Sequence, residues 1–458
     1  MAWSGGRRCS ATLDESWLTK PAFYPVALSL TANQLFAYFE AMLTQQQNDL
    51  ITQTNPGTPC GELLRHYWQP VALTEELADG RGPLPVRIMG EDLVLFRDDA
   101  GQLGLVQLHC AHRGADLSYG RLEDGGLRCL YHGWLYDRRG QCLDQPGEPE
   151  GSTFHEKVKL QAYPCHERAG VILAYLGPGG PPPLPNLAFL RVPEDNTYAT
   201  KLFHDCNYLQ GLEGNLESIH LSFLHYTNRE FQPPAIPPSE KLNSRGAAPQ
   251  IDWMEAVVTD TGVRNCKLRP IEGDRMYTMT VEFILPNLCA TPLQLFGSDS
   301  YLVNWHVPID DVSHWKWIVY AEPNNAIDRE KLRRERLGYL QPDYHAHHNR
   351  ENRYLQDRAS MESVSWSGMG YAFPAQDLCV VEGAGPIQDR TQEHLGVIDQ
   401  PIAMTRRAIL NAIATLEDGG DLPRSWHNGN GSRSPNPVAI AAELGREVDW
   451  KEYCKQFE

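Results

Sequence analysis

Two short clusters, Cys110-Ala-His112 and Cys129-Leu-Tyr-His132, constrain this chain more than any other feature. Their pattern is C-x-H, sixteen intervening residues, then C-x-x-H. Thiolate and imidazole are both metal ligands, and each cluster offers one of each. A Cys2His2 zinc site of the finger type puts both cysteines in one cluster and both histidines in the other. Mixed clusters suit a [2Fe–2S] centre in which two thiolates hold one iron and two imidazoles the other. Neutral imidazoles remove negative charge and raise the potential above that of an all-cysteine cluster. The expected ligands are therefore Cys110, His112, Cys129 and His132, with Gly114 and Gly133 allowing tight turns and Trp134 and Tyr136 shielding the centre. His109 breaks the spacing and is left out, and Cys142 reads as an ordinary small strand residue.

Composition excludes several other classes. The chain has 458 residues and a formal charge of −17. That charge argues against a nucleic-acid scaffold, which needs a basic face to displace counterions. No apolar run approaches the ~18 residues of a membrane-spanning helix. The 11 cysteines are scattered and odd in number, unlike a disulfide framework. A reducing, cytoplasmic setting is expected. Arg7 and Arg8 precede an apolar patch that contains two prolines, so residues 1–41 do not read as a secretory signal.

Residues 1–41 are irregular and are expected to be a dispensable extension. Met42 opens a domain-like segment, with a helix in GELLRHYWQP that ends at Pro70. From 71 to 176, short strands alternate with turns, which predicts a small all-β domain. The expected first domain thus runs over 42–176. GPGGPPPLP at 177–185 is a linker. The catalytic domain is expected over 186–430, followed by a tail at 431–458. Helices are predicted at 209–224, 327–339 and 401–416, with strands at YTMTVEFIL and KWIVYAE. The overall class is α+β, an all-β domain followed by an α+β one.

A second constellation lies in NYLQGLEGNLESIHLSFLHY: Glu217-x-x-His220, then His225. Glu217 and His220 are one helical turn apart. His220 and His225 differ by about 140° on an ideal helix, so they can share a metal only if the helix ends or bulges between them. Two imidazoles and one distant carboxylate form the facial triad of non-haem Fe(II) oxygenases.

On these residues the chain resembles the α subunit of Rieske non-haem iron aromatic ring-hydroxylating oxygenases, and is most similar to the phthalate 4,5-dioxygenase-like branch. PGTPCGELLRHYWQPVAL, the two cysteine–histidine clusters, LQGLEGNLESIHLSFLH and VVEGAGPIQDRTQEHLGVID carry the resemblance, from about Met42 to about residue 415. It implies a helix-grip-like catalytic domain with mononuclear iron held by His220, His225 and Asp377, with Asp389 as the rival third ligand. It implies that Glu217, where the family usually has aspartate, bridges a Rieske histidine of one subunit to His220 of the next. It also implies a homotrimer that uses O2 and takes electrons from NAD(P)H through a separate flavin and iron–sulfur reductase. This chain has no dinucleotide fingerprint of its own. The implied substrate is an aromatic, carboxylated compound, and the outcome ring hydroxylation or O-demethylation.

Arg229, Asn304 and His306 are candidates for holding a carboxylate or phenol. The HAHH run at 345–348 reads as a solvated loop. Two rival functions remain at this point. A Rieske electron-transfer protein without oxygenase activity would need little beyond the β domain. A zinc-binding structural protein would be colourless.

Overall fold

Alternation of apolar residues and glycine-bearing turns builds the first half of the chain from short antiparallel strands. The structure is a computed structural model that describes residues 43–78, 82–227, 253–293, 300–423 and 438–457. Residues 1–41 and Arg229 therefore lie outside the described residues.

In the β-rich half, β1 (Trp68–Leu73), β11 (Val171–Tyr175) and β10 (Cys165–Arg168) form one sheet. A second joins β2 (Leu84–Ile88), β3 (Glu91–Arg97), β4 (Leu103–Gln107) and β9 (Ala162–Tyr163). A third joins β5 (Arg121–Glu123), β6 (Gly126–Arg128), β7 (Leu135–Asp137) and β8 (Cys142–Asp144). Phe96, Leu117, Leu127, Trp134 and Tyr136 form a core of their own that includes Cys110 and Cys129.

The second half is one antiparallel sheet flanked by helices. Its order is β12 (Thr197–His204), β18 (His314–Ala321), β17 (Tyr301–Pro308), β16 (Leu288–Pro292), β15 (Arg275–Ile284), β14 (Gly262–Ile271) and β13 (Trp253–Val258). The segment expected to be a C-terminal tail departs from that reading. Its β19 (Ala441–Gly445) pairs with β15 from Met279↔Ala441 to Arg275↔Gly445. Trp450 and Cys454 then bury against Cys266 and Leu268.

The helices explain how the halves are joined. α1 (Gln45–Thr52) starts at a Thr44–Gln47 capping box, and α2 (Pro59–Arg65) starts at Thr58 with proline in the first turn. Both were expected to belong to the β domain. They pack instead on α3 (Tyr208–Leu216) and the later α6 (Gln400–Glu417). The Tyr208 hydroxyl donates to the Ile51 carbonyl at 3.0 Å, and Asn207 Nδ2 donates to the Thr52 carbonyl at 2.8 Å. One core consequently runs from Leu63, Tyr67 and Leu73 through Leu209 to Trp305 and Ile409. α4 (Arg329–Arg336) is shorter than the 327–339 expected. α5 (Phe373–Gly383) packs on α3. α6 buries Ile402, Thr405, Ile409, Ala412 and Ile413, a helical stripe, and lies over β13 and β14.

Candidate metal centres

The two cluster loops are built alike. The Cys110 carbonyl accepts from Gly114 N–H at 2.8 Å, and the Cys129 carbonyl accepts from Gly133 N–H at 3.1 Å. Each loop turns at a glycine with positive φ, +73° at Gly114 and +75° at Gly133, a conformation that side-chain-bearing residues seldom adopt. The Arg128 guanidinium reaches the Gly133 carbonyl at 2.7 Å and fixes the second loop.

These loops bring all four expected ligands together. Cys110 and Cys129 are buried, and Cys129 lies close enough to raise the Cys110 thiol. Burial is the main cause that pushes the Cys110 thiol up. His112 and His132 are exposed, with ring centroids 4.4 Å apart in an edge-on contact. Trp134 stacks on His112 at 4.6 Å. The Tyr136 hydroxyl sits 3.2 Å from Cys110 Sγ, where it can donate to a thiolate that holds a cluster. Two buried sulfurs beside two exposed imidazoles fit a [2Fe–2S] centre of mixed ligation. Cys142 is buried in the same core, its thiol pushed up to about 11 by burial, and His109 Nδ1 faces the Gly114 carbonyl instead.

The second constellation needs the helix to break, and it does. Asn207 caps the start of α3, accepting from Leu209 N–H at 3.1 Å. The helix stops at Leu216 rather than running to 224, and Glu217 is extended (φ −101°, ψ 148°). Glu217 then restarts the chain. Its Oε2 accepts from the N–H groups of Ile219 and His220 at 2.7 and 3.2 Å, and its Oε1 binds His220 Nδ1. The single turn His220–Ser222 follows.

With the helix broken, His220, His225 and Asp377 of α5 place one ligand atom each within 4.8 Å of one another. The proton positions are decisive. Glu217 takes the proton side of His220 at Nδ1, and Gln376 Oε1 takes that of His225 at Nδ1, at 2.6 Å. Gln376 is held in this orientation because its amide donates to the Gly370 carbonyl at 2.7 Å. Both Nε2 atoms are therefore lone pairs, 3.9 and 2.9 Å from Asp377 Oδ1. Two lone pairs and a carboxylate converge with no proton between them, which fits a cation. Burial pushes Asp377 up, but His225, His220 and Lys316 outweigh it and the net shift is downward. Burial likewise pushes His220 down, and Glu217 reverses it. Phe373 stacks on His225 at 3.4 Å. Asp389, the rival ligand, instead caps a turn by accepting from Thr391.

The triad opens on a cavity of about 560 Å³ lined among others by Tyr277, Thr291, Leu302, Asn304, Lys316 and Tyr371. Asn304 is where the sequence placed it. His306 is not on this wall, and its Nε2 faces Asn215 Oδ1 at 2.8 Å behind it. His348, from the run read as solvated, lines the cavity, and its buried Nδ1 has no partner among the described residues. Gln376, Phe373 and Lys316 were missed by the sequence reading. Gln376 directly precedes Asp377, a position from which an orienting amide could have been sought. Lys316 carries no motif signal.

Fold and sites together define an oxygenase component that combines a Rieske centre with a mononuclear metal site. Residues 67–164 match the Rieske [2Fe-2S] domain family, and residues 174–458 match the family described as LigXa C-terminal domain like. The chain belongs to the Rieske oxygenase α subunits, on the phthalate 4,5-dioxygenase-like branch. It is 33% identical to the oxygenase subunit of phthalate 4,5-dioxygenase from Pseudomonas putida, over 91% of this chain and 96% of that one. It is also 33% identical to the oxygenase subunit of 5,5'-dehydrodivanillate O-demethylase from a Sphingobium species, over 83% of this chain and 82% of that one. Among solved structures, the terminal oxygenase of carbazole 1,9a-dioxygenase from Novosphingobium sp. KA1 shares the fold. Its TM-score is 0.53 at 18% identity, with 88% and 99% of the two chains covered.

Proposed function

We propose that this chain hydroxylates or O-demethylates an aromatic carboxylate, with Cys110, His112, Cys129 and His132 holding the [2Fe–2S] cluster and His220, His225 and Asp377 holding Fe(II). Bound there, the two centres supply single-electron transfer and O2 activation. The carrying observation is the convergence of the two Nε2 lone pairs and Asp377 on a cavity that also contains Lys316.

This chain's own residues do the rest. Gln376 and Glu217 hold the Nδ1 protons and so aim both imidazoles. Tyr277, Leu302 and Phe373 exclude water and offer flat apolar contacts to a ring. Lys316 is 7% exposed, lines the cavity and has no hydrogen-bond or ion-pair partner among the described residues. A carboxylate on the substrate would give that ammonium its counter-ion. Support comes from the names of two relatives, phthalate 4,5-dioxygenase and 3-chlorobenzoate-3,4-dioxygenase.

The chain works as a homotrimer in the cytoplasm, and Glu217 relays electrons from a neighbour's Rieske histidine to His220. A carboxylate oxygen accepts more than one hydrogen bond, so Glu217 keeps capacity for that second imidazole. Electrons come from NAD(P)H through a separate flavin and iron–sulfur reductase. Solved carbazole 1,9a-dioxygenase structures include oxygenase–ferredoxin complexes, which supports an external donor. The test is product analysis with O2, a surrogate reductase and a panel of aromatic acids beside their amides. Hydroxylated or demethylated acids are expected. Equal turnover of acids and amides would remove the carboxylate from the reading.

A further inference from the structure

A second group of metal-ligating side chains lies beneath α3. His204 ends β12 and is the Cα partner of His314, which begins β18. Cys206 follows β12, just before the Asn207 cap. His204, Cys206 and His314 each present one ligand atom, and these atoms lie within 4.8 Å of one another. All three residues are buried, His204 at 2% exposure and the others at 0%.

Hydrogen bonding leaves the group short of protons or of an ion. Neither ring nitrogen of His204 has a partner among the described residues. His314 Nδ1 is 2.7 Å from the Cys206 carbonyl, which can only accept, so His314 Nε2 is a lone pair. His306, fully buried on β17, places its Nδ1 3.1 Å from that lone pair. His306 Nε2 lies 2.8 Å from Asn215 Oδ1, and in the tautomer that donates there His306 Nδ1 is a lone pair as well. In that tautomer two lone pairs face each other, beside a thiol and an imidazole with no partner among the described residues. Gly211 of α3 presses on the same spot. A Cβ there would lie 2.5 Å from His314 Nε2 and 2.7 Å from His306 Nδ1.

We propose that His204, Cys206 and His314, completed by His306, bind a structural Zn²⁺ that is separate from both redox centres. One thiolate and three imidazoles are a zinc donor set, and a fully buried site with no open position is a structural one. The Cys206 thiolate, with Asp205 and Glu382 nearby, balances the ion's charge against Lys316. The Cys206 carbonyl and Asn215 would orient His314 and His306 from behind, as outer partners of metal-bound histidines do. The ion would pin β12, β17 and β18 together under the helix that leads to Glu217 and His220.

The test uses the full-length protein with both redox centres loaded. Elemental analysis should find one zinc per chain besides the iron. Absorption spectroscopy at the zinc edge should show one sulfur and three nitrogen neighbours. Cys206→Ser and His204→Gln should lose the zinc and keep the visible spectrum and the iron, whereas His225→Ala should keep the zinc. His204→Leu should lower Tm, since a metal ligand is lost. A higher Tm for His204→Leu would mean an orphaned imidazole and no metal. Wild-type protein grown and dialysed with zinc yet free of it would overturn the site, as would zinc retained in both ligand variants. Should those variants fail to fold, the wild-type zinc count and edge spectrum decide the matter.

Discussion

Gln376 shows how much a single amide contributes to an imidazole. It accepts from His225 Nδ1 and is itself braced by Gly370, so the Nε2 lone pair of His225 has one direction. Gln376→Leu should weaken iron binding by about 10–100-fold while leaving the Rieske absorption intact, as read by chelator competition. Cys110, His112, Cys129 and His132 stood out in the sequence because their spacing is chemically restrictive, whereas His220 and His225, five apart, gained weight only beside those clusters. Asp377 came only from resemblance, since it lies 152 positions beyond His225 and no pattern connects them. Lys316 was illegible for a different reason. In the sequence it is one polar residue within KWIVYAE, and only the antiparallel register turns it into the cavity. The extra methylene of Glu217 also acquires meaning from coordinates. With it, one carboxylate holds two backbone N–H groups and an imidazole at once. Glu217→Gln should leave both metal contents unchanged and slow reoxidation of the reduced cluster by substrate and O2, measured by stopped-flow absorbance.

Among elements, α3 carries the most constraints. Its Glu213 lies between Arg390, at 3.0 Å, and Arg406, at 2.6 Å, all three buried. Removing the acid leaves the buried Arg390 without a carboxylate, while Arg406 keeps Glu393, so Glu213→Ala should cost about 3–5 kcal/mol, read by chemical denaturation. Burial alone would raise the Glu213 carboxyl, but the two arginines hold it below its ordinary 4.5. A depressed folded value means that this stabilisation is complete above pH 4.5 and disappears as pH falls through the depressed value. Wild-type Tm should therefore fall in that acid window more steeply than that of Glu213→Gln, checked by thermal melts monitored by circular dichroism. Gly211→Ala crowds His314 and His306 and should cost about 1–3 kcal/mol on the same assay. Helices were expected where α3, α4 and α6 lie, with other bounds. The break at Glu217 was foreseeable only as a requirement of shared ligation, because LESIHLSFLH continues helical composition past the stop. The 400–417 helix was the easiest to read, with its buried stripe and the glycines that follow.

For the molecule as a whole, the division at 177–185 understates how the parts interlock. α1 and α2 precede the β domain in sequence yet pack on α3 and α6. β19 returns from the far end to pair with β15. Neither was legible, because both depend on pairings between segments hundreds of residues apart. The chain starting at Met42 should be soluble and retain both metal centres, checked by iron content and visible spectrum. Aggregation would show that residues 1–41 cover part of the core. Mixing inactive Cys129→Ser chains with inactive His225→Ala chains should restore part of the turnover, since hybrid rings pair an intact cluster with an intact iron site. A monomer with normal turnover would contradict the ring.

None of the nine residues of α3 is exposed. Tyr208 binds Cys60, Gln210 binds the Val381 and Gly385 carbonyls, Gly211 abuts two imidazoles, Glu213 holds two arginines and Asn215 meets His306. Such a segment has almost no mutational freedom, so diversification of the substrate range in evolution or in a laboratory library has to come from the opposite wall. Randomising Tyr277, Thr291 and Leu302 should yield many folded variants with altered selectivity, whereas the same effort spent on 208–216 should yield mostly insoluble protein.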